Sequence, residues 1–204
     1  MSALVSAIDR RKAEKRRTII AGAIQAFEQE GYERASMDLV AELAGASKRT
    51  VYNHFESKKE LLWAVVGELL AGQVERTQIP YSKTESLESQ LGRFVDAEIF
   101  LVTDPDRLSV IRLLTSIFVQ NEALREDANK GEHCKSDHLT AWLRAAIQDD
   151  RIKTDDPELA TKIFCGLVEG MITFPALCGT LFDDDDLKPL KDELIAVFLS
   201  RYRL

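Results

Sequence analysis

Six residues between Lys48 and His54 can donate hydrogen bonds: Lys48, Arg49, Thr50, Tyr52, Asn53 and His54. Two are fixed cations and none is acidic, so the stretch is suited to an anionic partner rich in acceptors. DNA is such a partner, offering phosphate oxygens for position and base edges for sequence. A second pattern points the same way. Ser47 and Ser57 are placed to cap helices, and each is followed at once by cations, Lys48-Arg49 and Lys58-Lys59. A positive charge in the first turn opposes the helix dipole, whereas a phosphate at that end is favoured. Two such starts in succession read as an anion site better than as solvated surface. Glu60 completes a capping box with Ser57.

Other chemistry is poorly represented. His133, Cys134, Asp137 and His138 are the only cluster with metal-ligand types, with Cys134/His138 and His133/Asp137 each four apart. Ligand spacing of this kind arises often by chance, and a polar surface stretch is the plainer reading, so no metal is assigned. Cys165 and Cys178 read as small buried apolar residues before they read as redox sensors. There is no glycine-rich phosphate loop, nucleophile elbow or His/Asp pairing that would support catalysis, and no cofactor motif. An enzyme is not expected. A helical interaction protein that avoids DNA would leave the cations at two helix starts without a purpose.

The donor row needs a scaffold. Ser36 to Ala44 predicts one short helix, Gly45-Ala46 a tight turn, Ser47 to His54 a second helix, and Ser57 opens a third. Val40, Leu43 and Ala44 face Val51 and Phe55 across that turn, the pattern of a DNA-reading helix-turn-helix. Before it, residues 1–9 are expected to be poorly ordered. Arg10 to Arg17 hold six cations in eight residues, either lying along phosphates or forming a solvated helix start. Ile20, Ala23, Ile24 and Phe27 then carry a helix to about Glu30, with Gly31 at its end.

After Ser57 a helix runs to about Arg76, and Gln78 to Thr84 breaks it. Ser82 and Glu85 suggest a capping box for a helix to about Val102, and Asp104-Pro105 opens another. A helical region follows from about Glu122 to Ile147. Asp156-Pro157 repeats the cap-proline signal, and Gly166 and Gly170, one turn apart, would let another helix approach. Asp183 to Asp186 read as a loop before a last helix, Lys188 to Tyr202. No segment alternates like a strand. The expected fold is all-α, with an N-terminal three-helix DNA-binding domain over 1–56, ordered from about residue 10, and a larger helical domain over 57–204.

The net charge of −7 conceals an asymmetry. Residues 1–60 carry 11 Lys/Arg and 9 Asp/Glu, the remainder 16 and 25. A basic end on an acidic body suits contact with DNA in one orientation. The apolar run Leu61 to Ala71 is too short to span a bilayer, and the three cysteines are too sparse for a disulfide framework. A cytoplasmic protein is expected.

Phe27 with Gly31-Tyr32, Val40-Ala41, Ala44-Gly45-Ala46-Ser47, Thr50-Val51-Tyr52, His54-Phe55 and Ser57-Lys58 before Leu61-Leu62 together resemble the TetR/AcrR transcriptional regulators. The resemblance is densest over residues 15–62. It implies a homodimeric repressor with two DNA-binding heads, released from its operator when a small molecule enters the helical body and changes head spacing. It places Ser36, Ser47, Lys48, Thr50, Tyr52, His54 and Lys58 on DNA. Arg49 departs from the family pattern and adds a guanine or phosphate contact, and Asn53 is suited to adenine. The resemblance also implies a dimer interface from the last two long helices, which points to Phe164, Leu167, Val168, Met171, Leu194 and Phe198. Trp63, Phe94, Phe100, Phe118 and Trp142 are candidates for an effector pocket or for plain core, and the acidic body favours a neutral or cationic hydrophobic ligand.

Overall fold

Side-chain caps decide where several of the helices begin. The computed structural model describes residues 2–130 and 136–204. Its helices are α1 (Ser2–Arg34), α2 (Met37–Leu43), α3 (Lys48–His54), α4 (Lys58–Thr77), α5 (Leu87–Thr103), α6 (Pro105–Gln120), α7 (Glu122–Lys130) and α8 (Ser136–Gln148). Next come α9 (Pro157–Val168), a π-helical turn (Glu169–Thr173), α10 (Phe174–Leu177) and α11 (Asp184–Tyr202). Among the described residues there is no strand, only an isolated antiparallel bridge between Ile152 and Arg203. The all-α reading holds.

Ser36 Oγ accepts from Leu39 N–H, Ser47 Oγ from Thr50 N–H and Asp156 Oδ1 from Leu159 N–H, each filling a donor that the first turn leaves open. Asp104 Oδ1 takes the N–H groups of Asp106 and Arg107 at 3.0 Å each. Three starts differ from expectation. α1 begins at Ser2, well before the basic lead-in. The cap of α5 is Ser86, while Ser82 Oγ receives only a 3.3 Å bond from Glu85 N–H in the preceding turn. The acidic run belongs to α11 itself: Asp183 and Asp186 form its capping box, and negative charge there meets the positive helix end.

The chain divides into two compact units, Met1–Leu70 with Leu113–Glu122, and Ala71–Arg112 with Ala123–Leu204. In the first, α2 packs on both α1 and α3. Its core draws Ile19, Ile20, Ala23, Ala26 and Phe27 from α1, Val40 and Ala44 from α2, Val51 and Phe55 from around α3, and Leu61, Leu62 and Val65 from α4. Each fully buried large side chain contributes roughly 1.5–3 kcal/mol. Two glycines set the geometry. Gly45, at φ 53, turns the chain between α2 and α3 in a conformation that L side chains avoid. A Cβ on Gly22 would stand 2.9 Å from Ala44 N, so α1 and the end of α2 touch backbone to backbone.

In the second unit α5 packs on α11 and on the π-helical turn, and α8 on α9. Trp142 is buried, edge-on to Tyr81 at 5.7 Å and to Phe94 at 6.1 Å. Its Nε1–H donates to Gln90 Oε1 at 3.0 Å. Gln90 is fully enclosed. Its Oε1 also accepts from Ser82 N–H, and its Nε2 donates to the carbonyls of Ser82, Glu85 and Ser86. Arg151 holds the same segment from outside, donating to the carbonyls of Ser82, Lys83 and Glu85. These bonds fix the connection from α4 to α5.

Candidate nucleic-acid interface

α3 is short and pinned at both ends. Ser47 caps its start, and its end is closed by Phe55, whose N–H returns to Val51 O. Val51 is buried, so the helix cannot roll, and the remaining residues must face outward. Lys48, Arg49, Tyr52 and Asn53 are exposed, and Thr50 and His54 are half-buried. Among the described residues Arg49, Tyr52 and Asn53 have no hydrogen-bond or ion-pair partner. An exposed row of donors on a helix held at both ends has the form needed to enter a major groove.

The other predicted contacts are more occupied. Ser36 and Ser47 serve as caps, and the Ser47 and Thr50 hydroxyls lie 2.8 Å apart in a hydrogen bond. Lys48 pairs with Asp38 at 2.8 Å, an exposed pair whose carboxylate raises the lysine pKa through the hydrogen bond and its charge. Such a pair is weak in water and exchangeable. Lys58 differs most from expectation. Its Nζ donates to the carbonyls of Tyr32, Glu33 and Ala35 at 2.5, 2.8 and 3.0 Å and lies 4.7 Å from the centre of the Tyr32 ring. An ammonium has three donors, and in this arrangement all three close the carbonyl end of α1. The Ser57 box is also altered: Ser57 Oγ accepts from Glu60 N–H, but the Glu60 carboxylate reaches Glu56 N–H.

The basic lead-in, expected either to lie along phosphates or to be a solvated helix start, runs on α1 beside α3. Lys15 Nζ donates to Gly45 O at 3.1 Å, and the Arg16 guanidinium lies 5.1 Å from the centre of the Phe55 ring. His54 is held below the ordinary histidine range, first by burial and then by the charges of Lys12, Arg16 and Lys15. The charge run is visible in the sequence, but its register beside α3 is set by packing between residues some thirty or more positions apart.

The pocket and dimer candidates scatter. Trp63 stacks on Phe118 at 5.8 Å within the first unit. In the second, Phe100 lies between the guanidinium groups of Arg76 and Arg107, 3.8 and 3.6 Å from its ring centre, and Trp142 is core. Of the five aromatics only Phe94 lines the small cavity of that unit, about 40 Å³, with Thr77, Glu98, Leu139, Phe164, Cys165, Val168 and Glu169. Phe164, Val168, Leu194 and Phe198 are at most 5% exposed and belong to the core of a single chain, so they offer no surface to a second copy. Met171 is exposed and Leu167 half-buried. Of the cysteines, Cys165 is half-buried and Cys178 exposed rather than core. His133 and Cys134 lie outside the described residues, while Asp137 is exposed and His138 half-buried.

Comparison with known proteins decides the family. A model described as bacterial regulatory proteins of the tetR family matches residues 19–65, and one described as the AefR-like transcriptional repressor C-terminal domain matches residues 89–204. The chain belongs to the TetR family. It is a DNA-binding transcription regulator and not an enzyme. It is similar to the uncharacterized HTH-type transcriptional regulator YhgD of Bacillus subtilis, 27% identical over 195 residues, covering 93% of this chain and 94% of that one. The fatty acid metabolism regulator protein of Bacillus subtilis is 22% identical over 165 residues, covering 80% and 84%. Among solved structures, a TetR family transcriptional regulator from Pseudomonas syringae superposes with a TM-score of 0.77 at 29% identity, covering 94% of this chain and 98% of that one.

Proposed function

We propose that the chain is a homodimeric, cytoplasmic repressor that binds operator DNA through residues 1–56 and is released when a small molecule binds within residues 57–204. The carrying observation is the outward donor row of α3, with the side chains of Arg49, Tyr52 and Asn53 lacking any hydrogen-bond or ion-pair partner among the described residues. Those three read base edges, each discriminating by about 1–3 kcal/mol where the geometry is good. Ser36, Ser47, Lys48, Thr50 and His54 contact phosphate, Lys48 by exchanging Asp38 for a phosphate oxygen. Lys58 acts indirectly by fixing the end of α1. The repressor sense is supported by the description of the matched C-terminal domain.

Dimerisation is supported by an apolar face that this chain leaves uncovered. Leu159, Ile163, Met171 and Phe174 are 40–64% exposed along α9 to α10, with Val197 exposed on α11. A Cβ on Gly166 or Gly170 would meet nothing within 4 Å, leaving room for a helix from another copy. Only 33% of the most apolar window in Pro157–Leu177 is buried. The effector site centres on the cavity beside the π-helical turn. At about 40 Å³ it must widen to take a ligand, and π-turns are frequent where helices adjust at functional sites. Coupling of about 1–3 kcal/mol between effector and operator is sufficient for regulation.

The test is a gel shift with the DNA upstream of the chain's own gene, followed by a thermal-shift ligand screen and retitration with each hit. Binding that a stabilising ligand weakens is the expected result. A chain that binds no duplex, or whose binding every stabilising ligand leaves unchanged, overturns the reading.

A further inference from the structure

The buried stripe of α1 changes character along its length. Ile19, Ile20, Ala23, Ala26 and Phe27 are buried against the rest of the head. One and two turns towards the N-terminus, the i−4 and i−7 positions of that stripe are Arg16, Lys15 and Lys12. These cations do not trail into solvent away from α3. Lys15 is bonded to Gly45 O, just before the Ser47 cap, and Arg16 sits on Phe55, just after His54. The ridge therefore flanks α3 from one end to the other. Lys12, Lys15 and Arg16 also lie close enough to His54 to disfavour its protonation.

Among the described residues no acidic side chain pairs with Lys12, Lys15 or Arg16. The neighbouring Arg17 does have one, Glu68 at 3.7 Å. Like charges gathered without a counter-charge oppose the folded state, and bringing an anion to them reverses that cost. We propose that Lys12, Lys15 and Arg16 on α1, with His54 at the end of α3, form a second site for the DNA phosphate backbone. This site adds affinity and holds the register of α3 without reading sequence. It rests on the reading of the head as a DNA binder and adds an element outside the helix-turn-helix.

The experiment titrates the full-length chain with its upstream duplex and with a random-sequence duplex of equal length, at several salt concentrations. Lys12→Ala and Lys12→Glu are compared with the parent. Lys12 is exposed and its side chain makes no hydrogen bond among the described residues, so neither variant should melt below the parent, and easing the like-charge repulsion can only raise the melt. Lys162→Ala, an exposed lysine on α9, controls for net charge. Each phosphate contact adds about 0.9 to the slope of log K against log salt. The expected result in Lys12→Ala is a slope smaller by about 0.9 for each bound head, about 1.8 for the proposed dimer, with an equal fold-loss on both duplexes, a larger loss in Lys12→Glu and no change in Lys162→Ala. Slopes equal to the parent's overturn this inference and leave the regulator reading standing. A parent that binds neither duplex removes both. Tripolyphosphate is added as a competitor: Lys12-dependent binding of it without any Lys12 effect on the DNA slopes assigns the site to free polyanions and overturns the DNA claim.

Discussion

The outer face of α3 and the segment around Gln90 are both rich in polar groups, and they treat those groups in opposite ways. Around Gln90 every donor and acceptor of the side chain is used inside the chain, and Arg151 bonds the carbonyls of Ser82 and Glu85 a second time and adds that of Lys83. On α3, the side chains of Arg49, Tyr52 and Asn53 donate to nothing among the described residues. Satisfied polar groups fix a backbone, while donors held rigid and left open are available to a ligand. Lys58 shows why the distinction matters. By residue type it belongs with the open set, and by geometry it belongs with the closed one.

The contrast can be broken most severely at its closed end. Gln90→Leu leaves Trp142 Nε1–H and Ser82 N–H without their acceptor, while the carbonyls of Ser82 and Glu85 keep Arg151. Each buried orphan costs about 1–3 kcal/mol. Chemical denaturation of this variant should show a larger stability loss than any single substitution on the α3 face, with DNA affinity per folded molecule unchanged. Gly22→Val comes next, since its side chain would collide with the backbone of Ala44. Overpacking of this kind costs about 1–3 kcal/mol, and the melt should fall together with DNA binding.

Tyr52→Ala tests the open end. Binding to the operator should weaken by about 1–3 kcal/mol with an unaltered melting temperature; an unaltered footprint would remove Tyr52 from the interface. Lys58→Met then separates the two classes. It keeps the apolar stem and loses the three carbonyl bonds, so the melt should drop while the salt slope of the remaining folded protein stays the same. A smaller slope with a normal melt would return Lys58 to the phosphate set. The smallest effect concerns acid. Asp149 is held below the usual carboxylate range by hydrogen bonds from Lys83 and Tyr81. A depressed folded-state pKa stabilises above the unfolded value near 4 and loses that contribution as pH falls further. Asp149→Asn should therefore flatten the stability profile below about pH 4 and leave its shape unchanged near neutrality.

Features written in short spacing were legible in the sequence. The helix-turn-helix follows from Gly45 between the apolar triplet Val40, Leu43, Ala44 and the pair Val51, Phe55, and from serines at the right distance before Leu39 and Thr50. Cap-proline pairs likewise located α6 and α9. What escaped was either ambiguous locally or distant in the chain. Ser82 and Ser86 are both plausible caps, and only the enclosure of Gln90 decides between them. Arg151 reaches carbonyls more than sixty residues away. α9 and α11 are apolar on more than one side, so pattern alone could not tell the face covered by their own chain, Phe164 and Phe198, from the face left open, Ile163 and Val197.

The chain has two tryptophans, and each compact unit holds one. Trp63 is half-buried against Phe118, whereas Trp142 is enclosed, with its indole N–H bonded to Gln90. Their emission spectra must differ, the enclosed indole emitting further to the blue. The molecule thus carries a built-in optical reporter for each half, and single Trp→Phe variants would let the melting of head and body be followed separately without any added label.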